Sequence, residues 1–97
     1  MQSDREINVP AELLACPFIV DVAAELCHAV ARHGPMKSLH EAYAVILEEV
    51  DELWDECRKK SGERSAVDVR TELVQIAAMA WRAAKNLHLD NKAFRAE

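Results

Sequence analysis

The scarcity of helix-breaking residues is the feature that most constrains how this chain can fold. Only two glycines and three prolines occur in 97 residues. Beyond Pro17 they fall at just two places, Gly34-Pro35 and Gly62. Because glycine and proline are the strongest interrupters of regular structure, three long segments remain. Apolar residues recur in each segment every three or four positions, which is typical of amphipathic α-helices. The sequence therefore predicts an all-α fold.

Start and stop signals divide the chain into three main helices. We expect them at about residues 17–32, 38–60 and 65–88. Pro17 suits a first-turn position, and Gly34 is expected to cap the end of the first helix. Ser38 followed by Glu41 matches the capping-box pattern at the start of the second. The connections between these helices are short, so we expect antiparallel neighbours in a helical bundle.

The apolar stripes of the three helices are wide for a chain of this size. We expect residues 1–97 to form a single domain, which is too small to bury three such stripes by itself. A bundle completed by oligomerisation, as a homodimer or homotetramer, is therefore predicted. Tyr43, Trp54 and Trp81 lie at the stripe edges away from the acidic flank and are expected to pack between helices or subunits.

Composition excludes several classes of partner. The net charge of −5 and the pI of about 5.3 argue against nucleic-acid binding as the main purpose. No apolar run approaches the roughly 20 residues that span a bilayer, and residues 1–10 lack a signal-peptide core. We therefore expect no membrane association and a cytoplasmic location. Cys16, Cys27 and Cys57 form no CxxC pair and are expected to be small buried hydrophobic residues.

Acidic residues line one flank of the apolar stripe on two of the helices. At about 100° per residue, Glu49, Glu52 and Glu56 share one flank of the second helix. Glu72 and Asp68 occupy the corresponding flank of the third. Like charges at this spacing repel, and partial burial increases the cost. A divalent cation such as Mg²⁺, or basic side chains from a neighbouring helix, would compensate, and helical periodicity favours neither.

The same acidic residues resemble a family signature. Residues 48–52 read EEVDE, and after nineteen residues the segment 72–75 reads ELVQ. This pair resembles the EExxE…ExxD signature of the all-α nucleoside triphosphate pyrophosphohydrolases, the MazG-like and dimeric dUTPase superfamily. The similarity covers about residues 34–87. The resemblance implies a helical bundle, usually dimeric or tetrameric, that hydrolyses (deoxy)nucleoside triphosphates to monophosphate and pyrophosphate with Mg²⁺, or alternatively Mn²⁺.

The resemblance also assigns roles by position. The metal-binding and catalytic positions fall on Glu49, Glu52 and Glu72. The family's fourth ligand, an aspartate, falls on Gln75, whose amide offers a carbonyl oxygen without charge, so weaker Mg²⁺ binding is expected. Glu56 and Asp68, on the same flanks, are candidate substitutes for the missing carboxylate. The implied mechanism is attack of a metal-activated water on the α-phosphorus, with one glutamate as general base.

Three further residues are candidates for substrate binding. His28 lies on the polar flank of the first helix, where it would face a cleft or remain exposed. His33 and Lys37 lie in the loop that enters the second helix, and helix N-termini favour anions such as a triphosphate.

Two functions from different classes account for these features. The first is a pyrophosphohydrolase that cleans the nucleotide pool, which the three matched glutamates favour. The second is a catalytically degenerate module of the same fold that binds a nucleotide, a small ligand or a protein partner, which Gln75 favours. A purely structural helical oligomer explains the apolar stripes but not the matched acidic flanks.

Overall fold

All regular secondary structure in the described part of the chain is helical. The structure, a computed structural model, describes residues 7–91, so residues 1–6 and 92–97 of the expected domain lie outside it. Its elements are α1 (Ala11–Leu14), α2 (Pro17–Arg32), α3 (Leu39–Cys57), a 3₁₀ turn (Ser61–Glu63) and α4 (Ala66–Asn86). The all-α prediction is confirmed, and the short α1 and the 3₁₀ turn were not expected. Across residues 7–91, no helix combines the length and apolar character needed to cross a membrane.

Serine caps start the two longest helices, and the sequence predicts the one at Ser38. The Ser38 hydroxyl accepts a hydrogen bond of 3.0 Å from the backbone N–H of Glu41. The Glu41 carboxylate in turn accepts from the backbone N–H of Lys37 at 2.8 Å. At the start of α4, Ser65 accepts from the backbone N–H of Asp68 at 3.1 Å. These bonds satisfy amide groups that have no partner within a helix, and so fix where each helix begins.

Two helix ends differ from the sequence prediction. The expected glycine cap on α2 is wrong, because the chain leaves the helix at His33 in an extended conformation and neither glycine has a positive φ. Gly34 precedes a proline, which favours extended backbone at that position. The second difference is that α3 ends at Cys57 rather than near residue 60. The guanidinium of Arg64 donates to the Cys57 carbonyl at 2.8 Å and so satisfies one of the last carbonyls of the helix.

The packing of the bundle is centred on α4. Both α2 and α3 pack along it, whereas α2 and α3 make no direct helix-to-helix contact. The core where they meet is built mainly from small side chains and methionines: Val22, Ala29, Met36, Ala42, Val74, Ala78, Met79 and Ala83. An ion pair of 2.8 Å between Arg70 and Asp21 also joins α4 to α2. The bundle is therefore open on the side between α2 and α3.

The inward face of α3 matches only part of its apolar stripe. Buried Ala42 and half-buried Val45 and Ile46 pack into or against the core, together with half-buried Glu49 and buried Glu56. Other large apolar side chains are 38–69% exposed, and they are Leu39, Tyr43, Leu47, Val50 and Trp54. The acidic flank, expected at the margin of the core, thus turns towards the interior, and one side of the apolar stripe is left exposed.

The cysteines follow the same pattern. All three are unpaired, as expected. The expectation that they are buried is wrong, because Cys27 and Cys57 are exposed and Cys16 is only partly buried. Helical periodicity identifies an apolar stripe, but it does not reveal whether that stripe faces the core of the same subunit.

Candidate active site

An open cleft lies between α2 and α3, and α4 forms its floor. Its volume is about 920 Å³, and it is lined by residues of all three helices and of the α2–α3 loop. Glu49 and Glu52 of α3 face Glu72 of α4 in one part of the cleft. The basic residues that line it are Arg32, His33, Lys37 and Arg82. The cleft therefore has an acidic end at Glu72 and a mixed end at Arg82, where Glu25 and Glu41 accompany the basic residues.

The three glutamates that the sequence singles out converge in this cleft. One carboxylate oxygen from each of Glu49, Glu52 and Glu72 lies within 4.8 Å of the other two. Glu49 and Glu52 are neighbours on α3 because residues three apart share a helix face. Glu72 meets them because α4 packs against that face. A cluster of this size can supply several oxygen ligands to one hard divalent cation.

Burial and mutual repulsion disfavour the charged forms of these carboxyl groups. The pKa of Glu49 is raised to about 7, first by burial and then by the negative charges of Glu52 and Glu72. The pKa of Glu72 is also raised, again mainly by burial and then by its interaction with Glu52. In addition, the buried Oε1 of Glu72 has no hydrogen-bond partner in residues 7–91. Buried polar atoms are nearly always satisfied, so this oxygen is free to accept a hydrogen bond or to bind a cation.

Basic side chains do not neutralise the cluster in the described part of the chain. There, neither Glu49, Glu52 nor Glu72 forms an ion pair with a lysine, arginine or histidine. The sequence left open whether a neighbouring helix supplies this compensation, and α2 and α4 do not. The donor set, three carboxylates with one oxygen unpartnered, thus fits a divalent cation such as Mg²⁺.

The two candidate substitutes for the missing aspartate lie outside the cluster. Glu56 is buried, and its carboxylate accepts from the Lys59 ammonium at 2.5 Å and from the backbone N–H of Ser65 at 3.4 Å. The hydrogen bond from Lys59 is the main reason why the pKa of Glu56 is lowered. Asp68 is exposed, though its charge contributes to the raised pKa of Glu72. Gln75 itself is half-buried and lines the cleft.

The structure separates the three candidate substrate-binding residues. His33 and Lys37 line the cleft. His28 does not. It is exposed, lies 3.9 Å from Glu25 and lines a smaller pocket of about 260 Å³.

Sequence reasoning missed one residue of the cleft that stands out by its environment. Arg82 is buried and lines the floor of the cleft on α4. It lies seven residues after Gln75, a spacing that returns to the same helix face. That spacing was the signal that could have found it.

Similarity to known proteins gives no independent assignment for this site. Comparisons of the chain with protein-family models, with curated proteins and with solved structures returned no match.

Proposed function

We propose that this chain is a Mg²⁺-dependent nucleoside triphosphate pyrophosphohydrolase of the MazG-like, all-α type. It would convert (deoxy)nucleoside triphosphates to monophosphate and pyrophosphate as cytoplasmic house-cleaning of the nucleotide pool. The observation that carries the proposal is the convergence of Glu49, Glu52 and Glu72, with no protein cation paired to them in residues 7–91. The resemblance of residues 48–52 and 72–75 to the family signature gives the reaction class.

The cleft suits a nucleotide in size, and a bound divalent cation would offset the negative charge of the glutamates that line it. Small-molecule sites usually occupy roughly 300–1,000 Å³, and this cleft is about 920 Å³. When bound, Mg²⁺, or Mn²⁺ in its place, would neutralise phosphate oxygens and lower the pKa of a bound water. Glu49 and Glu52 would hold it from α3 and Glu72 from α4. A carboxylate of this group not fully engaged as a ligand would accept the proton of the attacking water.

The alternative is a catalytically degenerate binding module on the same fold. Gln75 is the observation that favours it, because a neutral amide lines the cleft where the family signature has a charged ligand. In that case a nucleotide, another small ligand or a protein partner would occupy the cleft without turnover.

Pyrophosphate release from a panel of nucleoside triphosphates, with Mg²⁺, with Mn²⁺ and with EDTA, separates the two functions. The enzyme predicts metal-dependent release that is lost in Glu72→Gln and retained in the matched control Asp51→Asn, an exposed carboxylate on α3. Nucleotide binding without release in any condition would support the binding module. If wild-type protein neither binds nor hydrolyses any nucleotide, both functions are refuted.

We further propose that the chain assembles with copies of itself through the outer face of α3. We call the exposed apolar side chains on this face the α3 stripe, namely Leu39, Tyr43, Leu47, Val50 and Trp54. Covering the stripe on two copies would bury on the order of 1,000 Å², at the lower limit of specific interfaces. The smallest closed assembly is a homodimer. A homotetramer would also cover Leu73 and Trp81 on α4, which are 42% and 41% exposed.

A second copy of the chain is the proposed partner for the α3 stripe, because the stripe is complementary to itself. Consider an antiparallel pair of α3 helices related by a two-fold axis near residues 46–47. Leu39 would then lie opposite Trp54 of the partner subunit, and Tyr43 opposite Val50 of the partner subunit. Two-fold axes generate such self-complementary contacts, and they are the commonest symmetry of soluble oligomers.

The helix dipoles favour the same antiparallel arrangement. An antiparallel pair places the positive end of each α3 dipole beside the negative end of the other, whereas a parallel pair places like ends together. Light scattering tests the assembly, and a stable folded particle of 10.9 kDa at micromolar concentration would refute it.

A further inference from the structure

Arg82 is a buried cation without an anionic partner in the described part of the chain. Its residue surface is 6% exposed, and it lines the floor of the cleft. One guanidinium nitrogen donates to the carbonyl of Gly34 at 2.6 Å, and another donates to the sulfur of Met79 at 3.7 Å. No Asp or Glu of residues 7–91 forms an ion pair with it. Both recorded acceptors are neutral.

Such an arginine needs a negative charge from another source. The guanidinium group stays protonated in proteins and offers five N–H donors. Burying it costs free energy unless a counter-charge compensates. Gly34 and Met79 occupy only part of its hydrogen-bonding capacity. The remaining donors lie at the wall of an open cleft.

The surrounding backbone holds this guanidinium in place. Its bond to the Gly34 carbonyl fixes the start of the α2–α3 loop. Asn86, one turn further along α4, accepts from the backbone N–H of Met36 at 2.8 Å and fixes the end of that loop. Arg82 and Asn86 together dock the loop on α4. A preformed donor group binds its ligand with little loss of entropy.

The neighbouring charges leave this end of the cleft cationic. Lys37 and Arg32 line it beside Arg82, as do Glu25 and Glu41. Glu25 lies 3.6 Å from the guanidinium of Arg32, so these two charges offset each other. Glu41 accepts from the backbone N–H of Lys37 and keeps its negative charge, which leaves a net positive charge from Lys37 and Arg82 together. The ammonium of Lys37 and the guanidinium of Arg82 have no carboxylate ion-pair partner in residues 7–91.

We infer that Arg82, assisted by Lys37, forms an anion subsite that binds a phosphate group of a polyphosphate chain without a divalent cation. The planar guanidinium of arginine can donate two parallel hydrogen bonds to two oxygens of one phosphate, which the point charge of a lysine ammonium cannot do. The inference deepens the proposed function and rests on it for the identity of the ligand. It places the terminal phosphate of a nucleoside triphosphate beside Arg82, at the opposite end of the cleft from the carboxylates.

The separation of the two ends selects a chain of phosphates over a single phosphate. Ten residues of helix separate Glu72 from Arg82, or about 15 Å along the axis. Long side chains lean towards the helix N-terminus, so the guanidinium lies nearer to Glu72 than its Cα does. A single phosphate held by Arg82 would not reach a cation bound by the carboxylates, whereas a triphosphate spans much of the distance.

Calorimetric titration of the intact protein in EDTA, with no divalent cation present, tests the subsite. The ligands are inorganic phosphate, tripolyphosphate, a nucleoside triphosphate and citrate. Wild-type protein is expected to bind tripolyphosphate and the nucleotide more tightly than phosphate or citrate, because Arg82 and Lys37 can each donate to a different phosphate of one chain. Arg82→Lys, which keeps the charge and loses the fork, should weaken tripolyphosphate binding by roughly tenfold or more. Lys37→Met should weaken it as well.

The matched control is Arg70→Met, since Arg70 also lies on α4 but is exposed and paired with Asp21. It should bind tripolyphosphate like wild type. Circular dichroism checks the fold of each variant, and Lys37→Met keeps the test valid if Arg82→Lys does not fold. The inference is overturned if wild-type protein binds no polyphosphate in EDTA, if citrate binds as tightly, or if folded Arg82→Lys and Lys37→Met both retain wild-type affinity. Polyphosphate binding without metal-dependent hydrolysis would uphold the subsite and overturn the proposed reaction.

Discussion

The two faces of α3 have opposite chemistry and opposite surroundings. The inward face brings Glu49 and Glu52 to Glu72 in the cleft. The outward face carries the α3 stripe, whose five large apolar side chains are all exposed. An isolated small domain would be more stable with these faces exchanged, because burying apolar area is favourable and burying carboxylates is costly.

On α4 as well, some large apolar side chains are exposed, although Val74, Ala78, Met79 and Ala83 of this helix are buried in the core. Leu73 and Trp81 are partly exposed, whereas Glu72 and Arg82 face the cleft. Ionisable groups at the centre of one subunit are a feature of functional sites. Large exposed apolar patches are a feature of interfaces. The inward faces are therefore suited to ligand chemistry within the subunit, and the outward faces are expected to stabilise the protein through contact between subunits.

The largest effect is expected from a charge placed in the middle of the α3 stripe. Leu47→Glu would bring two carboxylates together near the two-fold axis, at a cost of about 3 kcal/mol or more for the assembly. We expect the particle mass to fall to that of one chain in multi-angle light scattering. Val67→Glu is the matched control, because Val67 is 73% exposed in the first turn of α4. Unchanged mass in Leu47→Glu would show that the outward face of α3 is not the interface.

Divalent cations should stabilise the protein through the inward face. Mg²⁺ at about a hundred times its dissociation constant would add about 2.7 kcal/mol to the free energy of unfolding. Thermal unfolding across a Mg²⁺ titration measures this. Glu72→Gln should lose the stabilisation, and Asp51→Asn should retain it.

Changing Gln75→Asp sharpens the same comparison. The added carboxylate should tighten Mg²⁺ binding, and turnover should rise or hold if the site is catalytic. If the cleft has another use, the aspartate instead repels Glu72 by a few tenths of a kcal/mol and metal gives no response. Unfolding midpoints and pyrophosphate release, measured together on both proteins, distinguish these results.

A smaller effect is expected from the pH dependence of the metal-free protein. The pKa of Glu49 is raised from 4.5 to about 7, so the folded state holds this proton more tightly than the unfolded state. Its contribution to stability is therefore most favourable below the unfolded pKa and declines as pH rises through the folded pKa. Glu49→Gln should be more stable than wild type above pH 7 by about 1–2 kcal/mol, allowing for solvent screening.

Urea unfolding in EDTA across a pH series measures this difference, which should vanish below the ordinary pKa of 4.5. Asp55→Asn, an exposed carboxylate on the same helix, is the control and should not show the same gain above neutral pH. A difference between wild type and Glu49→Gln that is independent of pH would contradict the electrostatic explanation.

The smallest effect should come from the serine caps at the starts of α3 and α4. Ser38→Ala removes the acceptor for the Glu41 amide and should cost about 1 kcal/mol, with a similar loss for Ser65→Ala. Ser61→Ala is the control, because no side-chain cap is formed at the 3₁₀ turn. Equal stability of all three variants would mean that the caps contribute little.

Local signals explain which parts of the fold were predictable. Helix α2 is observed at the residues expected, because Pro17 and the Gly34-Pro35 break act within one turn of its ends. The serine caps likewise act over three residues. The end of α3 was placed too late because Arg64, seven residues beyond Cys57, satisfies the helix carbonyl. That contact depends on how the chain turns back.

The candidate site was predictable to the extent that helical geometry determines it. Glu49, Glu52 and Glu72 lie on flanks that periodicity identifies, and the structure brings them together. Glu56 lies on the same flank but near the end of α3, where Lys59 and Ser65 engage it. Which of these glutamates joins the cluster therefore depends on position along α3 as well as on the flank.

By itself the sequence determined the kind and approximate limits of the three main helices, and which acidic residues share a flank. Those properties depend on interactions within a few residues along the chain. Only the tertiary structure decided which flank faces inward, that the carboxylates have no basic partner in residues 7–91, and that Arg82 is buried beside the Gly34 carbonyl. These properties depend on contacts between α2, α3 and α4, because burial and charge pairing arise only when the helices pack together.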